Sequence, residues 1–127
     1  MTVSKSDELK AGVPIVRMFR ARARAGRENE LAEKLAKTSP TVVRDKAGFL
    51  GYFAGGPAQP DGRDFFFISL WRDFLALKDV FGDAWRESHL PPGYVEIIEE
   101  HSIEHYELTD EALKLRSATR RASRSPG

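Results

Sequence analysis

The chain has 127 residues, 41% of them hydrophobic, which is sufficient for one domain with a packed core. Twenty basic and nineteen acidic side chains give a formal net charge of +1, which argues against a nucleic-acid binder that depends on phosphate neutralisation. The absence of cysteine excludes disulfides, thiolate nucleophiles and cysteine-ligated metals. With a polar beginning and no long apolar run, these features predict a cytoplasmic protein without membrane or nucleic-acid partners.

The first half of the chain predicts a strand, a helix in two pieces and a second strand. Residues 14–25 alternate between two sets of side chains with a period of two, which is typical of a strand. Residues 27–37 carry a helical apolar stripe. Pro40 is expected to interrupt this helix before a second piece at residues 41–45. Residues 49–53 form the second predicted strand.

The second half predicts a buried strand, a capped helix and a final strand. Residues 64–71 form a dense apolar run, which indicates a central strand buried on both faces. Asp73 has the character of an N-cap for a helix at residues 74–81. A further helical turn is predicted at residues 83–89. Alternation returns at residues 101–108 and predicts the last strand.

This order predicts an α+β fold of the ferredoxin-like type, β-α-β-β-α-β, with a four-stranded antiparallel sheet and both helices on one face. Because the apolar strand also requires a dry second face, we expect two copies to pack as a dimeric α/β barrel. Residues 13–109 form the predicted domain. Residues 1–12 are expected to be flexible, and residues 110–127 to be a basic, disordered tail or an interaction arm for acidic partners.

The chain resembles the antibiotic biosynthesis monooxygenase-like domains of the dimeric α/β-barrel superfamily. The matching segments are the first strand at residues 16–19, the turn and strand at 47–52, the strand end Leu70-Trp71 and the segment 85–89 with its tryptophan and histidine. The resemblance extends over residues 14–108. It implies a homodimer with a small-molecule pocket between the sheet and the helices of each subunit.

The resemblance also implies a function. Some members of the family oxidise phenol-like substrates to quinones without a cofactor, and another branch binds and degrades haem. His89 matches the haem-ligating position, but the asparagine expected in the haem branch falls at Phe19 and the expected tryptophan falls at Val80. We therefore expect no cofactor, with haem bound through His89 as an alternative.

The predicted function is a cofactor-independent monooxygenase acting on a small aromatic or polyketide-like molecule. The alternative is a non-catalytic dimeric domain that binds a small hydrophobic ligand. The candidate catalytic residues are His89, as a base, and Trp71. The candidate substrate-binding residues are Phe19, Arg17, Tyr52, Phe67, Phe81, Trp85 and His105. No metal site is predicted, because His101 and His105 lie about 13 Å apart along a strand.

Several of these side chains also have a purely structural interpretation. His89 can be a polar residue near a helix end, Trp71 a core residue and His105 a half-buried strand residue. Arg17 and Arg20 point to opposite faces of the first strand, so one of them must be buried. A buried guanidinium needs an anion. For Arg17 this is either an ion pair, for example with Glu104 or Glu107, or an anionic oxygen of a ligand.

Overall fold

The structure is a computed structural model, and it describes residues 12–109. Four strands form one antiparallel sheet: β1 (Ile15–Ala23), β2 (Phe49–Gly55), β3 (Asp64–Trp71) and β4 (Ile98–Glu107). Their order across the sheet is β2-β3-β1-β4, and each neighbouring pair is antiparallel. The predicted ferredoxin-like α+β fold is confirmed. Strand β4 begins three residues earlier than predicted.

The predictions for the two ends of the chain fall largely outside the described part. Of the expected flexible segment at residues 1–12, only Gly12 is described, and the expected basic tail at residues 110–127 lies beyond it. Among the helices of residues 12–109, none is long and apolar enough to cross a membrane.

The first helical layer continues through the proline that was expected to interrupt it. Helix α1 (Glu28–Glu33) passes through a π-helical turn (Lys34–Thr38) into helix α2 (Ser39–Val43). Pro40 lies in the first turn of α2, where its missing N–H removes no hydrogen bond that the helix needs. The predicted break was therefore wrong, because a π turn absorbs the irregularity.

Helix α3 (Phe74–Phe81), which follows strand β3, begins where the sequence predicts. The Oδ1 atom of Asp73 accepts a hydrogen bond from the backbone N–H of Ala76 at 2.9 Å. This bond satisfies one of the N–H groups that the first turn of a helix leaves free. The predicted N-cap is confirmed.

The chain after α3 is less helical than predicted. Gly82 ends the helix with a φ of +68°, a conformation that favours glycine. The helical turn predicted at residues 83–89 was wrong beyond a short 3-10 helix at Gly82–Ala84. The following residues form turns up to a second 3-10 helix at Val95–Ile97, because the pair Pro91-Pro92 cannot supply the N–H groups of a helix.

The core lies between the helices and one face of the sheet. The predicted alternation in β1 is confirmed, since Ile15, Arg17 and Phe19 are buried on the helix-facing side. Their neighbours in β3 on the same side are Trp71, Ser69 and Phe67, respectively. Leu31, Leu35 and Leu77 from the helices are almost completely buried against this face.

The opposite face of the sheet carries an apolar group of side chains beside a charged cluster around Arg22, which forms ion pairs with Asp64 and Glu100. The strand register places the following apolar residues on this face: Val16, Met18, Phe53, Phe66, Ile68, Leu70 and Tyr106. Phe53 is 61% exposed and Tyr106 is 48% exposed. We refer to these seven residues as the open sheet face.

The Asp73 cap generates a stability prediction. Asp73→Ala removes the acceptor for the Ala76 N–H, and we expect the free energy of unfolding to fall by about 1 kcal/mol. The measurement is urea denaturation followed by circular dichroism. Asp79→Ala, an exposed position of the same helix, is the control and should change stability by less than about 0.5 kcal/mol. Equal effects of the two substitutions would contradict the assignment of the cap.

Candidate functional site

A cavity lies between the sheet and the helical layer. Its sheet wall is formed by Arg17, Phe19, Phe67, Ser69 and Ile103, which belong to β1, β3 and β4. The enclosed part has a free volume of about 40 Å³, and the whole depression with its open mouth has about 450 Å³. The enclosed volume is far below that of typical small-molecule sites, which is about 300–1,000 Å³, and the larger figure includes open solvent.

The opposite wall and the mouth are formed by the helical layer and by the turns after α3. Val42, Ser39 and Phe81 belong to the helices, and Tyr94 closes the wall near the second 3-10 helix. His89 lies exposed at the mouth, where its ring meets the Phe81 ring at a centroid distance of 6.0 Å and a steep angle of 64°.

Arg17 is the buried charged group of this cavity, and its side chain is 4% exposed. Its Nη2 atom donates to the carbonyl oxygen of Glu87 at 2.9 Å, and Nη1 donates to the carbonyl oxygen of Trp85. Nη1 also lies 3.1 Å from Nε2 of His105. The guanidinium lies over the ring of Phe81, 3.8 Å from its centroid, in a cation–π contact.

The partners of Arg17 are neutral. Within residues 12–109, no ion pair joins its guanidinium to a carboxylate. Within one chain, the expected ion pair with Glu104 or Glu107 was therefore wrong. Glu104 pairs with Met18 on the open side of the sheet. The two backbone carbonyls and the ring of His105 accept from Nη1 and Nη2 of Arg17, and these bonds do not use all five N–H groups of the guanidinium.

At neutral pH, one of the two ionisable groups at the centre of this arrangement is charged and the other is neutral. Burial lowers the pKa of Arg17 to about 10, so the guanidinium remains charged. Burial, with the nearby charge of Arg17, lowers the pKa of His105 to about 4. His105 is therefore neutral. Its Nε2 accepts a hydrogen bond from Arg17, which assigns the ring proton to Nδ1.

The structure brings five of the nine predicted site residues to the cavity. They are Arg17, Phe19, Phe67, Phe81 and His89. Three aromatic rings and one guanidinium come from strands and helices that the pattern of the sequence identified, whereas His89 is held by an irregular turn.

The other four predicted residues lie behind or outside the cavity lining. Trp71 is completely buried, and its indole N–H donates to Oγ of Ser69 at 2.9 Å. Trp85 and His105 contact Arg17 from behind, and their own rings meet at 5.0 Å. Tyr52 is 41% exposed and stacks on Phe67 at a centroid distance of 5.2 Å.

Three polar residues of the cavity were missed: Ser39, Ser69 and Tyr94. Ser69 had a signal in the sequence, because it is the polar member of the buried side of β3, between Phe67 and Trp71. Tyr94 lies in irregular chain, where no period predicts burial. Ser39 directly precedes Pro40, where the sequence predicts an interruption of the helix.

A protein-family model described as antibiotic biosynthesis monooxygenase matches residues 14–101. No curated protein matches the chain. Protein SO0527 from Shewanella oneidensis is similar in structure, with a TM-score of 0.61 and 20% identity over 76% of this chain and 92% of that one.

Two further structures concern haem. The haem-degrading protein Rv3592 from Mycobacterium tuberculosis has a TM-score of 0.52 and 22% identity over 77% of this chain and 93% of that one. A variant of the protein MhuD with two manganese protoporphyrin IX molecules per active site has a TM-score of 0.55 and 21% identity, over 75% of this chain and 94% of that one.

These two neighbours contradict the expectation of no cofactor, because one degrades haem and the other binds a porphyrin in its active site. The residues at Phe19 and Val80 were therefore not a sufficient reason to expect no cofactor and to treat haem bound through His89 only as an alternative. In this chain the enclosed volume of about 40 Å³ does not fit a porphyrin. The wall formed by Phe81 and the mouth at His89 would have to open before a porphyrin could enter.

The family model matches residues 14–101, which contain β1, β2, β3 and the beginning of β4. This protein belongs to the antibiotic biosynthesis monooxygenase family.

Proposed function

We propose that this protein binds a small aromatic or polyketide-like anion in the cavity and oxidises it with dioxygen. The observation that carries the proposal is the buried guanidinium of Arg17, whose partners among residues 12–109 are all neutral. A buried charge without a counter-ion is costly. An anionic oxygen of a ligand would supply the missing charge, and charge-assisted hydrogen bonds to guanidinium are among the strongest in proteins.

The remaining walls suit a ring. Phe19, Phe67 and Phe81 face the cavity together with Val42 and Ile103. A site of about 150 Å³ is sufficient for benzene, so a ring does not enter the enclosed part and would occupy the wider mouth. This position would place the ring beside Phe81, with its oxygen directed towards Arg17.

The proposed reaction requires little of the protein. His89 at the mouth would take the proton of a phenolic hydroxyl, and Arg17 would stabilise the resulting oxyanion. The electron-rich ring carbon would then react with dioxygen. In the overall reaction a phenol and one dioxygen give a quinone and one water, so the substrate supplies all the electrons. Binding without oxygen uptake would instead favour the non-catalytic ligand-binding domain.

We further propose that the protein works as a homodimer. The open sheet face is mainly apolar, and its aromatic residues Phe53 and Tyr106 remain exposed in one chain. A second copy packed on this face would bury them. In each subunit the helices cover the other face of the sheet. The two cavities would therefore lie on the outer sides of the paired sheets.

The dimer is tested by a charge on the open sheet face. Phe53→Glu should shift the protein from dimer to monomer, because a carboxylate in an apolar interface is costly. Sedimentation velocity measures the change. Leu75→Glu on α3 is a matched control, since Phe53 and Leu75 are each 61% exposed. A wild-type monomer, or dissociation by both substitutions, would contradict the proposal.

The role of Arg17 is tested by its neutral variant. Arg17→Gln should weaken the binding of phenolic and carboxylate ligands by about 10-fold or more, since hydrogen bonds to charged groups contribute about 1.5–3 kcal/mol. Calorimetry measures binding, and an oxygen electrode measures uptake with the phenols. Arg17→Lys keeps the charge and should retain part of the affinity, and Arg44→Gln at an exposed site is the control.

Haemin belongs in the same ligand series because of the two haem-related neighbours. Unchanged anion binding in a folded Arg17→Gln protein would overturn the proposal. A haemin Soret shift that His89→Ala abolishes and His101→Ala retains would replace it with haem binding at the cavity mouth.

The low pKa of His105 predicts a dependence of stability on pH. An unfolded histidine takes up a proton near pH 6.5, whereas His105 in the folded protein does so only near pH 4. The unfolded chain therefore binds more protons between these values. The free energy of unfolding should fall as the pH decreases from about 6.5 to about 4, and this contribution stops falling below that.

His105→Gln should remove this part of the slope, since glutamine can still accept from Arg17 and does not titrate. His101→Gln, at an exposed position of the same strand, should leave it in place. Urea denaturation across pH 4–7 measures the effect, and equal slopes in the three proteins would contradict the assigned state of His105.

A further inference from the structure

Two serine hydroxyls line the cavity, and neither has a role in the reaction described above. Ser69 is 2% exposed on β3, in the sheet wall. Ser39 is half-buried at the start of α2, in the helical wall. Each hydroxyl can donate one hydrogen bond and accept two. Their partners determine what each can offer to a ligand.

Ser69 can offer a proton. Its oxygen accepts from the indole N–H of Trp71 at 2.9 Å, and an indole N–H can only donate. The proton of Ser69 must therefore point to another group, and residues 12–109 provide no acceptor for it. Ser69 lies directly opposite Arg17 in the strand register, which places their Cβ atoms about 5 Å apart on one face. In the proposal below, these neighbouring side chains donate together to one anionic oxygen.

Ser39 can offer lone pairs. Its Oγ lies 2.7 Å from the hydroxyl oxygen of Tyr94, which donates its single proton to the carbonyl of Lys34 at 3.2 Å. Either hydroxyl could donate by distance alone, and the bond from Tyr94 to Lys34 assigns Ser39 as the donor. Because its proton is used, Ser39 can only accept a bond from a ligand. Burial raises the pKa of Tyr94, so the phenol keeps its proton at neutral pH.

We infer that the cavity selects aromatic monoanions that also carry a hydroxyl group. The anionic oxygen of such a ligand accepts from Arg17 and Ser69, and its hydroxyl donates to Ser39. This rests on the proposed function, because it uses Arg17 as the anion site. Trp71 is a positioning residue, since its indole holds the Ser69 oxygen and leaves the Ser69 proton for the ligand.

The inference is tested with hydroxybenzoates and fluorobenzoates, each as the meta and para isomer. The carboxylate stands in for the phenolate because it is anionic at neutral pH, and fluorine replaces the hydroxyl without a donor. In calorimetric titrations of the full chain, the better hydroxybenzoate should bind about 5-fold more tightly than its fluoro counterpart, as expected for one hydrogen bond.

Serine-to-alanine variants measure the contribution of each cavity wall to ligand binding separately. Ser39→Ala should abolish the preference for the hydroxyl and leave fluorobenzoate binding unchanged. Ser69→Ala should weaken both ligands equally, by about 5- to 10-fold. Thr41→Ala, an exposed hydroxyl on the same helix as Ser39, is the control. If Ser39→Ala does not fold, Tyr94→Phe tests the same link, because it releases the proton of Ser39 and should also reduce the preference.

The role of Trp71 is tested by a double-mutant cycle. Trp71→Phe should weaken anion binding in the wild-type background and have no further effect on binding when Ser69 is already alanine. A structural loss alone would lower affinity in both backgrounds, which would overturn the positioning role.

The two proposals fail differently. Equal binding of the hydroxyl and fluoro ligands in a protein whose anion binding needs Arg17 would overturn the selection and leave the proposed function intact. No anion binding by the wild type, or binding that does not depend on Arg17, would overturn the proposed function and the inference with it.

Discussion

The buried charge of Arg17 is the constraint on which the rest of the site depends. Its guanidinium binds the carbonyl oxygens of Trp85 and Glu87, so it fixes the turn that carries His89 to the cavity mouth. It also packs on Phe81, at the end of α3. One side chain of the inner strand β1 thus holds the irregular turn in place and gives the cavity wall a positive charge.

The positive charge of Arg17 has no counter-ion among residues 12–109, because its partners there are neutral groups. Carbonyl dipoles and a neutral His105 satisfy hydrogen-bond donors without cancelling a full positive charge. A carboxylate in the same position would have been more stabilising for the free protein and would have closed the site to anions. In the proposed function, an anionic ligand would supply the counter-charge that the protein leaves out.

The features that follow a local period could be predicted from the sequence. The alternation of β1 placed Arg17 and Phe19 in the same set of side chains, and Asp73 marked the start of α3. The partners of Arg17 could not be predicted, because two of them are carbonyls in a turn without periodicity. The helical run through Pro40 was missed because the local effect of a proline is outweighed by a π turn within a packed layer.

The position of β1 in the sheet has a consequence for how the protein is made. This strand is synthesised before the other three, yet it is an inner strand whose two neighbours are β3 and β4, so that Ile15 pairs with Glu107. Pairing over such a sequence separation slows folding. During synthesis, β1 would therefore expose an unpaired edge, with Arg17 and Phe19 unburied, until β4 has left the exit tunnel. An unpaired strand edge with exposed apolar side chains favours aggregation at that stage.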